Sequence, residues 1–303
     1  MSERPIELSR LSPRIRRLTV ASVAALFTLV LSGCTPEMRR GFLPGYEDGP
    51  VTNQTDRITN LWVGSWVAAL IVGAIVWGLV IWCVIVYRKR RNDQKLPVQI
   101  RFHLPLEITY LVIPMIMVGT LFYFTARDIE EITDTSATPD LFVQVIAKQW
   151  AWDVNYLGPS IAEEDDDVWY SSEHIIDVSV PGQIEDYPKI VLPVDARVEF
   201  ILNSRDVIHS FWVPAMLFKL DMFPGNQTNS FQVELLREGV YAGKCAELCG
   251  EFHSNMLFNL EVVSQEDYEA YLESLREAGQ SGTRGLEYSR QQAAVESVVE
   301  ANN

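Results

Sequence analysis

The sequence predicts a membrane-anchored all-β protein: a two-helix transmembrane hairpin, then a β-sandwich, then one closing helix. Three observations carry this. Two long apolar runs in the first half flank a cluster of basic residues. From Leu141 onward, short strand-like segments are separated by Gly, Pro and Asn turn signals. The charge is divided: residues 1–126 hold 14 Lys and Arg against 8 Asp and Glu, and residues 127–303 hold 11 against 32. So unequal a division places the two halves in different surroundings. The acidic half would repel nucleic acid, which excludes a nucleic-acid binder, and suits a soluble domain or a basic protein partner.

The chain begins with an apolar stretch, Leu18 to Leu31, behind Arg14, Arg16 and Arg17. It is too short to span a membrane comfortably and reads as an export signal. It ends in Leu31-Ser32-Gly33-Cys34, which resembles the bacterial lipobox, whose cysteine becomes the lipidated first residue. Residues 1–33 are therefore expected to be a lipoprotein-type signal peptide, with Cys34 the lipid attachment and 34–60 an outer segment. An ordinary signal peptide with an incidental cysteine is the plainer alternative.

The hairpin is expected at 61–126, with spans at 61–87 and 104–126. Each span has the roughly 20 apolar residues that cross about 30 Å of hydrocarbon. Arg88-Lys89-Arg90-Arg91, Lys95 and Arg101 lie between them, so the positive-inside rule puts this loop in the cytoplasm and everything after residue 126 outside. Trp62, Trp66, Trp82 and Tyr87 stand where interfacial aromatics often do.

The outer domain is expected over 135–279. Strand-like segments fall at 141–147, 174–180, 189–194, 197–202, 230–235, 240–244 and 257–263. Their number and spacing suggest a sandwich or barrel. Ser264 followed by Gln265-Glu266-Asp267 reads as a helix cap with acids in the first turn, the helix running to about Ala278 and stopping at Gly279. The tail, 280–303, reads as flexible. Glu163-Glu164-Asp165-Asp166-Asp167 falls between the first two predicted strands, as a solvated loop or a docking surface for a basic partner.

Chemistry concentrates in CAELCGEFHSNM, Cys245 through Met256, between two late strands. Three readings compete. An oxidising compartment favours a Cys245–Cys249 disulfide, which leaves His253 and Met256 unexplained. Two Cys and two His suit tetrahedral zinc, with an idle methionine. Thiolate, imidazole and thioether together are the soft set that copper selects. A single-copper blue site uses one cysteine and here there are two, which can bridge a copper pair. A second imidazole must then come from elsewhere. Among the four histidines, His103 is on the cytoplasmic side and His174 stands beside the acidic run. His209, in what reads as a loop before Pro214, is favoured.

The segments DVIHSFWVP, KLDMFPGNQTN and GVYAGKCAELCGEFHSNM, in that order, resemble subunit II of haem–copper cytochrome c oxidases of the bacterial aa3 type. The likeness covers about 51–278, including the hairpin and Lys148-Gln149-Trp150-Ala151-Trp152. It implies a cupredoxin-like sandwich carrying a binuclear copper centre, CuA. Cys245 and Cys249 would bridge the coppers, His209 and His253 would be terminal ligands, and Met256 and the Glu247 carbonyl the weak ones. The Glu247 carboxylate would hold Mg²⁺ or Mn²⁺ shared with the catalytic subunit. Trp150 matches the aromatic through which electrons enter, and Glu107 the glutamate at the mouth of a proton pathway. The implied activity is that of a proton-pumping cytochrome-c oxidase in the bacterial plasma membrane, with a haem-bearing subunit I, other oxidase subunits and membrane lipid as partners and cytochrome c as donor. Asp206 matches an acid of the donor-docking face. Ala151, Arg205 and the acidic insertion after Tyr156 depart from the family pattern and point to a cytochrome tethered in a respiratory supercomplex. Quinol oxidase relatives lack the copper ligands. The remaining rivals are a lone copper carrier or chaperone, and a zinc-stabilised or mononuclear copper envelope protein outside any oxidase.

Overall fold

The computed structural model describes residues 21, 35–45, 49–89, 98–157, 176–184, 186–225 and 227–282. Cys34, His174, the acidic run 163–167, Arg90, Arg91 and Lys95, and most of the tail lie outside the described residues. The chain divides into two units, Met1–Leu43 and Pro44–Asn303. In the first, Thr35 caps a single helical turn, Pro36–Arg39.

Two long helices open the second unit. Helix α1 spans Thr55–Val86 and α2 spans Leu104–Ile132. Both are long and apolar enough to cross a membrane. The basic loop precedes α2, whose start is capped from both sides: the His103 ring accepts from the Leu106 amide, and Glu107 accepts from the His103 amide. Both helices extend about six residues beyond the apolar runs at their β-domain ends. There the side chains are polar and charged: Thr55, Asp56 and Arg57 on α1, Arg127 and Asp128 on α2. Helical hydrogen bonding simply continues where hydropathy stops, so hydropathy alone cannot mark these ends.

Among the described residues, ten strands form two five-stranded sheets. The first has the order β3-β2-β1-β5-β8, with β1 Leu141–Lys148, β2 Ala151–Leu157, β3 Ile176–Val180, β5 Arg197–Ser204 and β8 Asn229–Glu234. The second has the order β4-β10-β9-β6-β7, with β4 Lys189–Pro193, β6 His209–Val213, β7 Phe218–Met222, β9 Gly239–Cys245 and β10 Leu257–Val263. The mixed pairing matters for the site: β1 runs parallel to β5, in a register that sets Ala147 opposite Ser204. Helix α3, Gln265–Glu277, is capped by Ser264 as expected and buries Tyr268 and Leu275.

The sheets close on an aromatic core. Phe211 of β6 stacks on Phe258 of β10 at 4.8 Å, and Phe200 of β5 on Phe231 of β8 at 5.0 Å. Trp152 meets Phe258 edge-on at 5.2 Å. Each such buried ring stabilises the sandwich by roughly 1.5–3 kcal/mol in transfer alone, and the ring pairs add about 0.5–1.5 kcal/mol more. Phe211 and Phe258 anchor the strands that carry the cysteine loop and His209.

Three strands escaped the sequence reading: β2, β6 and β7. The acidic run therefore follows β2 rather than joining the first two strands. His209 is not in a loop but is the first residue of β6.

Candidate metal centre

The twelve-residue motif closes on itself. Strand β9 ends at Cys245, β10 begins at Leu257, and the Cys245 amide donates to the Met256 carbonyl at 3.0 Å. Between these ends Gly250 takes φ +123°, where a side chain would be strained. A short 3₁₀ turn, His253–Asn255, returns the chain. His209 arrives from the neighbouring strand. Phe211 pairs with Cys245, and the Ala246 amide donates to the Ser210 carbonyl at 3.0 Å.

The donor atoms converge. The Cys245 and Cys249 sulfurs are 3.9 Å apart. His209 Nδ1 lies 3.8 Å from Cys245 Sγ, and His253 Nδ1 lies 3.4 Å from Cys249 Sγ. Met256 Sδ is 3.8 Å from Cys249 Sγ, and the Glu247 carbonyl oxygen is 3.2 Å from Cys245 Sγ. The donors of His209, Cys245 and Cys249 all fall within 4.8 Å of one another. Metal–sulfur bonds of about 2.3 Å and metal–nitrogen bonds of about 2.0 Å put two donors of one tetrahedral ion roughly 3.5–3.8 Å apart. The spacing fits a thiophilic ion without rearrangement. It does not fit a disulfide, whose sulfurs sit about 2.05 Å apart, and both cysteines are free. The core of the group is dry: Cys245, Cys249, Met256 and His209 are all buried.

Protonation points the same way. Burial pushes the Cys245 thiol up, but hydrogen bonding with His209 and the nearby backbone outweighs this and brings it down to about 7. Burial, and then the charge on Cys245, push Cys249 up to about 12. Two thiolates this close repel unless a cation lies between them, so metal binding would remove the second proton. Burial disfavours a charged His209, yet the bonds with Asp206 and Cys245 prevail and raise it. Burial likewise raises Asp206, and the His209 ring and the Gln149 and Val207 amides prevail and lower it.

A supporting layer holds these donors. Asp206 Oδ1 lies 2.9 Å from His209 Nε2, and with Nδ1 facing sulfur, Nε2 is the nitrogen that carries the hydrogen. The same carboxylate accepts from the Val207 amide at 2.8 Å and the Gln149 amide at 2.7 Å. The Gln149 side chain then donates to the Cys249 carbonyl at 2.8 Å. One residue thus braces both the histidine side and the cysteine side. Sequence reasoning gave Gln149 no role and put Asp206 on a docking face. The structure leaves the Asp206 side chain 10% exposed, with both oxygens turned inward.

Trp150 stands beside the group. Its indole N–H donates to the same Cys249 carbonyl at 3.2 Å, and its ring meets Phe252 edge-on at 4.9 Å. Phe252, Leu248 and Ile208 are exposed apolar residues near the site, Leu248 at 78%. Glu247 is exposed, so its carboxylate is open to a partner while its carbonyl faces Cys245. Arg205 reaches the buried Asp153 at 3.7 Å, and Lys148 reaches it at 2.6 Å. Glu107 is elsewhere, in the first turn of α2.

Comparison with known proteins follows the same line. Residues 141–263 match the family described as "Cytochrome C oxidase subunit II, periplasmic domain". The chain is 41% identical over 304 residues to the "Probable cytochrome c oxidase subunit 2" of Streptomyces avermitilis, covering 93% of this chain and 94% of that one. It is 31% identical to the "Cytochrome c oxidase subunit 2" of Mycobacterium tuberculosis strain H37Rv, over 86% of this chain and 82% of that one. It is 30% identical to that of Corynebacterium glutamicum, over 88% and 87% respectively.

Proposed function

The chain belongs to the cytochrome c oxidase subunit II family, and on that premise we propose that it holds a CuA centre, receiving electrons from a cytochrome c and passing them to a haem-bearing catalytic subunit that reduces O₂ to water and translocates protons. One observation supports this above others: two thiols 3.9 Å apart with an imidazole against each and a thioether beside them. A zinc site would use four of these donors and leave Met256 idle. Copper uses the soft set entire.

Cys245 and Cys249 would hold the copper pair between them, His209 and His253 would be the terminal ligands, and Met256 Sδ and the Glu247 carbonyl the weak ones. When bound, such a centre takes up and gives back one electron. The chain's own part is to keep the donors still and dry. The closed loop, the Asp206 brace and the aromatic core oppose movement between redox states. Trp150, bonded to the Cys249 carbonyl and bordered by apolar side chains, is where electrons would enter. The donor would be a cytochrome tethered in a larger respiratory assembly. The exposed Glu247 carboxylate would share Mg²⁺ or Mn²⁺ with the catalytic subunit.

The domains follow from this reading. Residues 1–33 would be a signal peptide and Cys34 a lipid-bearing first residue. The spans at 61–87 and 104–126 would carry the 135–279 domain on the outer face of the bacterial plasma membrane. Glu107, at the inner end of α2, would open a proton route, as ionisable groups there often do.

The test is metal analysis of the full chain in mild detergent with visible and EPR spectra. Two coppers per chain and a hyperfine pattern from one electron shared by both are the expected result. One copper with an isolated-ion pattern, or zinc alone, would sink the assignment and return the chain to the mononuclear or zinc-stabilised reading.

A further inference from the structure

At their β-domain ends, α1 and α2 enclose a groove of about 840 Å³. Its rim is charged and its walls are apolar. On the rim, Asp128 is almost fully covered and accepts from Arg57 at 3.2 Å and from Arg127 at 3.0 and 2.7 Å. Arg57 also reaches Glu131 at 3.3 Å. These bonds use part of the five N–H donors that a guanidinium offers. The Arg57 and Arg127 side chains stay 35% and 48% exposed. Asp56 shares the rim with the polar Asn53 and Asn60. Below it the walls are Gly64 and Ala68 on α1 and Leu121 and Phe124 on α2. Ser65 and Thr120 also line the groove, but each hydroxyl donates to a carbonyl of its own helix, at 2.7 and 2.8 Å. The walls therefore present apolar surface to an occupant.

The length of the groove selects the occupant. From Arg57 to Ala68, and from Arg127 to Ile116, is roughly 16 Å at 1.5 Å per residue. That is about half of a ~30 Å hydrocarbon layer. Helix α1 continues to Val86 and α2 begins at Leu104, and those halves do not line the groove. A transmembrane helix of another protein packed lengthwise on the hairpin would run on past the groove into the other leaflet. An acyl chain hanging from a headgroup at the rim spans one leaflet.

The geometry points to a binding site for one zwitterionic phospholipid of the leaflet on the β-domain side. The Arg57–Arg127 pair meets the phosphate, whose oxygens suit the planar guanidinium fork. Asp56 meets the ammonium. One acyl chain lies along Gly64, Ala68 and Leu121. A Cβ built on Gly64 touches nothing within 4 Å, so this is space a ligand can fill and a larger side chain can block.

The oxidase complex containing the full chain would be purified in mild detergent, stripped of lipid, and offered phosphatidylethanolamine, phosphatidylglycerol or diacylglycerol. Retained lipid per chain is then counted by mass spectrometry. The wild type should retain one phosphatidylethanolamine per chain in preference to the other two. Gly64→Leu should lose it, and Arg127→Gln, which removes a charge-assisted contact, should hold it about tenfold more weakly. Unchanged retention in both variants would overturn the proposal, as would equal retention of diacylglycerol or phosphatidylglycerol. So would a Gly64→Leu complex that keeps its lipid and sheds the haem subunit, since protein would then occupy the groove.

Discussion

Replacing Asp206 with alanine tests whether the centre is shaped in advance by the protein. The carboxylate accepts three hydrogen bonds, from the Gln149 amide at 2.7 Å, the Val207 amide at 2.8 Å and His209 Nε2 at 2.9 Å. Bonds to an ionised acceptor contribute roughly 1.5–3 kcal/mol each. Neighbours sharing one acceptor do not add fully, and Asp206 keeps slight contact with solvent, which can satisfy the two amides in part. His209 is fully buried, so its N–H is left dry. The expected loss is about 3–4 kcal/mol of stability in the metal-free chain. Copper affinity should fall roughly 10- to 100-fold, because an unbraced imidazole must be ordered on binding. Asp206→Asn keeps the shape and one acceptor oxygen, and should lose about half as much. Denaturant unfolding of the full chain in detergent, followed by the β-sheet signal, gives the first figure, and competition with a copper chelator gives the second. An Asp206→Ala chain within ~0.5 kcal/mol of wild type, with unchanged copper affinity, would refute the brace.

Gln149→Met removes the side-chain N–H aimed at the Cys249 carbonyl while keeping the bulk of the residue. An N–H dipole so placed favours the reduced centre, so the reduction potential should fall by about 20–40 mV, read by redox titration; a rise or no change would show the bond to be incidental. Gly182→Ala would set a Cβ 2.0 Å from the Trp152 carbonyl oxygen. Backbone cannot yield as a side chain does, so the cost should reach the upper end of the roughly 1–3 kcal/mol of overpacking, and a melting curve like that of wild type would disprove the contact. Tyr156 sets an alkaline limit. Burial, and next the charge of Tyr271, raise its phenol well above the ordinary value, so the unfolded chain ionises first. Its contribution is intact below about pH 10 and is lost above it by up to about 1.4 kcal/mol per pH unit. Tyr156→Phe should flatten that alkaline limb in unfolding experiments, whereas a phenol titrating near pH 10 in the folded chain would contradict this.

Much of the architecture was legible because it is written in local periodicity. The apolar runs, the Ser264 cap and the alternation of β1 are read from a few adjacent residues. Strand β2 could have been found too: Trp152-Asp153-Val154-Asn155-Tyr156 alternates cleanly, with the aromatics and valine facing the core. Strand β7 alternates too, Phe218, Leu220 and Met222 against Lys219 and Asp221, whereas β6 opens on the polar pair His209-Ser210, which breaks the apolar pattern although both residues are buried. At the metal centre, the cysteine loop is local and was visible as a motif. Asp206 stands three residues before His209, so that brace was within reach of sequence. Gln149 was not. It meets Asp206 only because parallel pairing of β1 with β5 carries the chain past Ala147 and Ser204 together. It meets Cys249 only because the two sheets close on each other. Neither relation has a signature in the residues between.

The membrane hairpin and the centre also form one mechanical object. Residues 51–53 run beside β8: the Leu236 amide donates to the Val51 carbonyl and the Asn53 amide to the Glu234 carbonyl. The segment before α1 thus covers backbone groups that an edge strand would otherwise expose. Gln54 then donates to the carbonyls of Ile132, at the end of α2, and Gln232, in β8. One side-chain amide therefore joins the start of the first helix, the end of the second and the sheet. Gln232 in turn reaches the carbonyls of Thr135 and Ala137, fixing the linker after α2. With both helix ends bonded to the sandwich, rotation of the domain on its anchor would break several buried bonds at once. The electron transfer proposed above would gain from this, because the position of the site over its anchor is set by β8 and the packed aromatic core, not by a free linker. A fragment begun at residue 135 would keep every metal donor and lose the edge cover of Val51 and Thr52, so its centre would form on a less stable sheet.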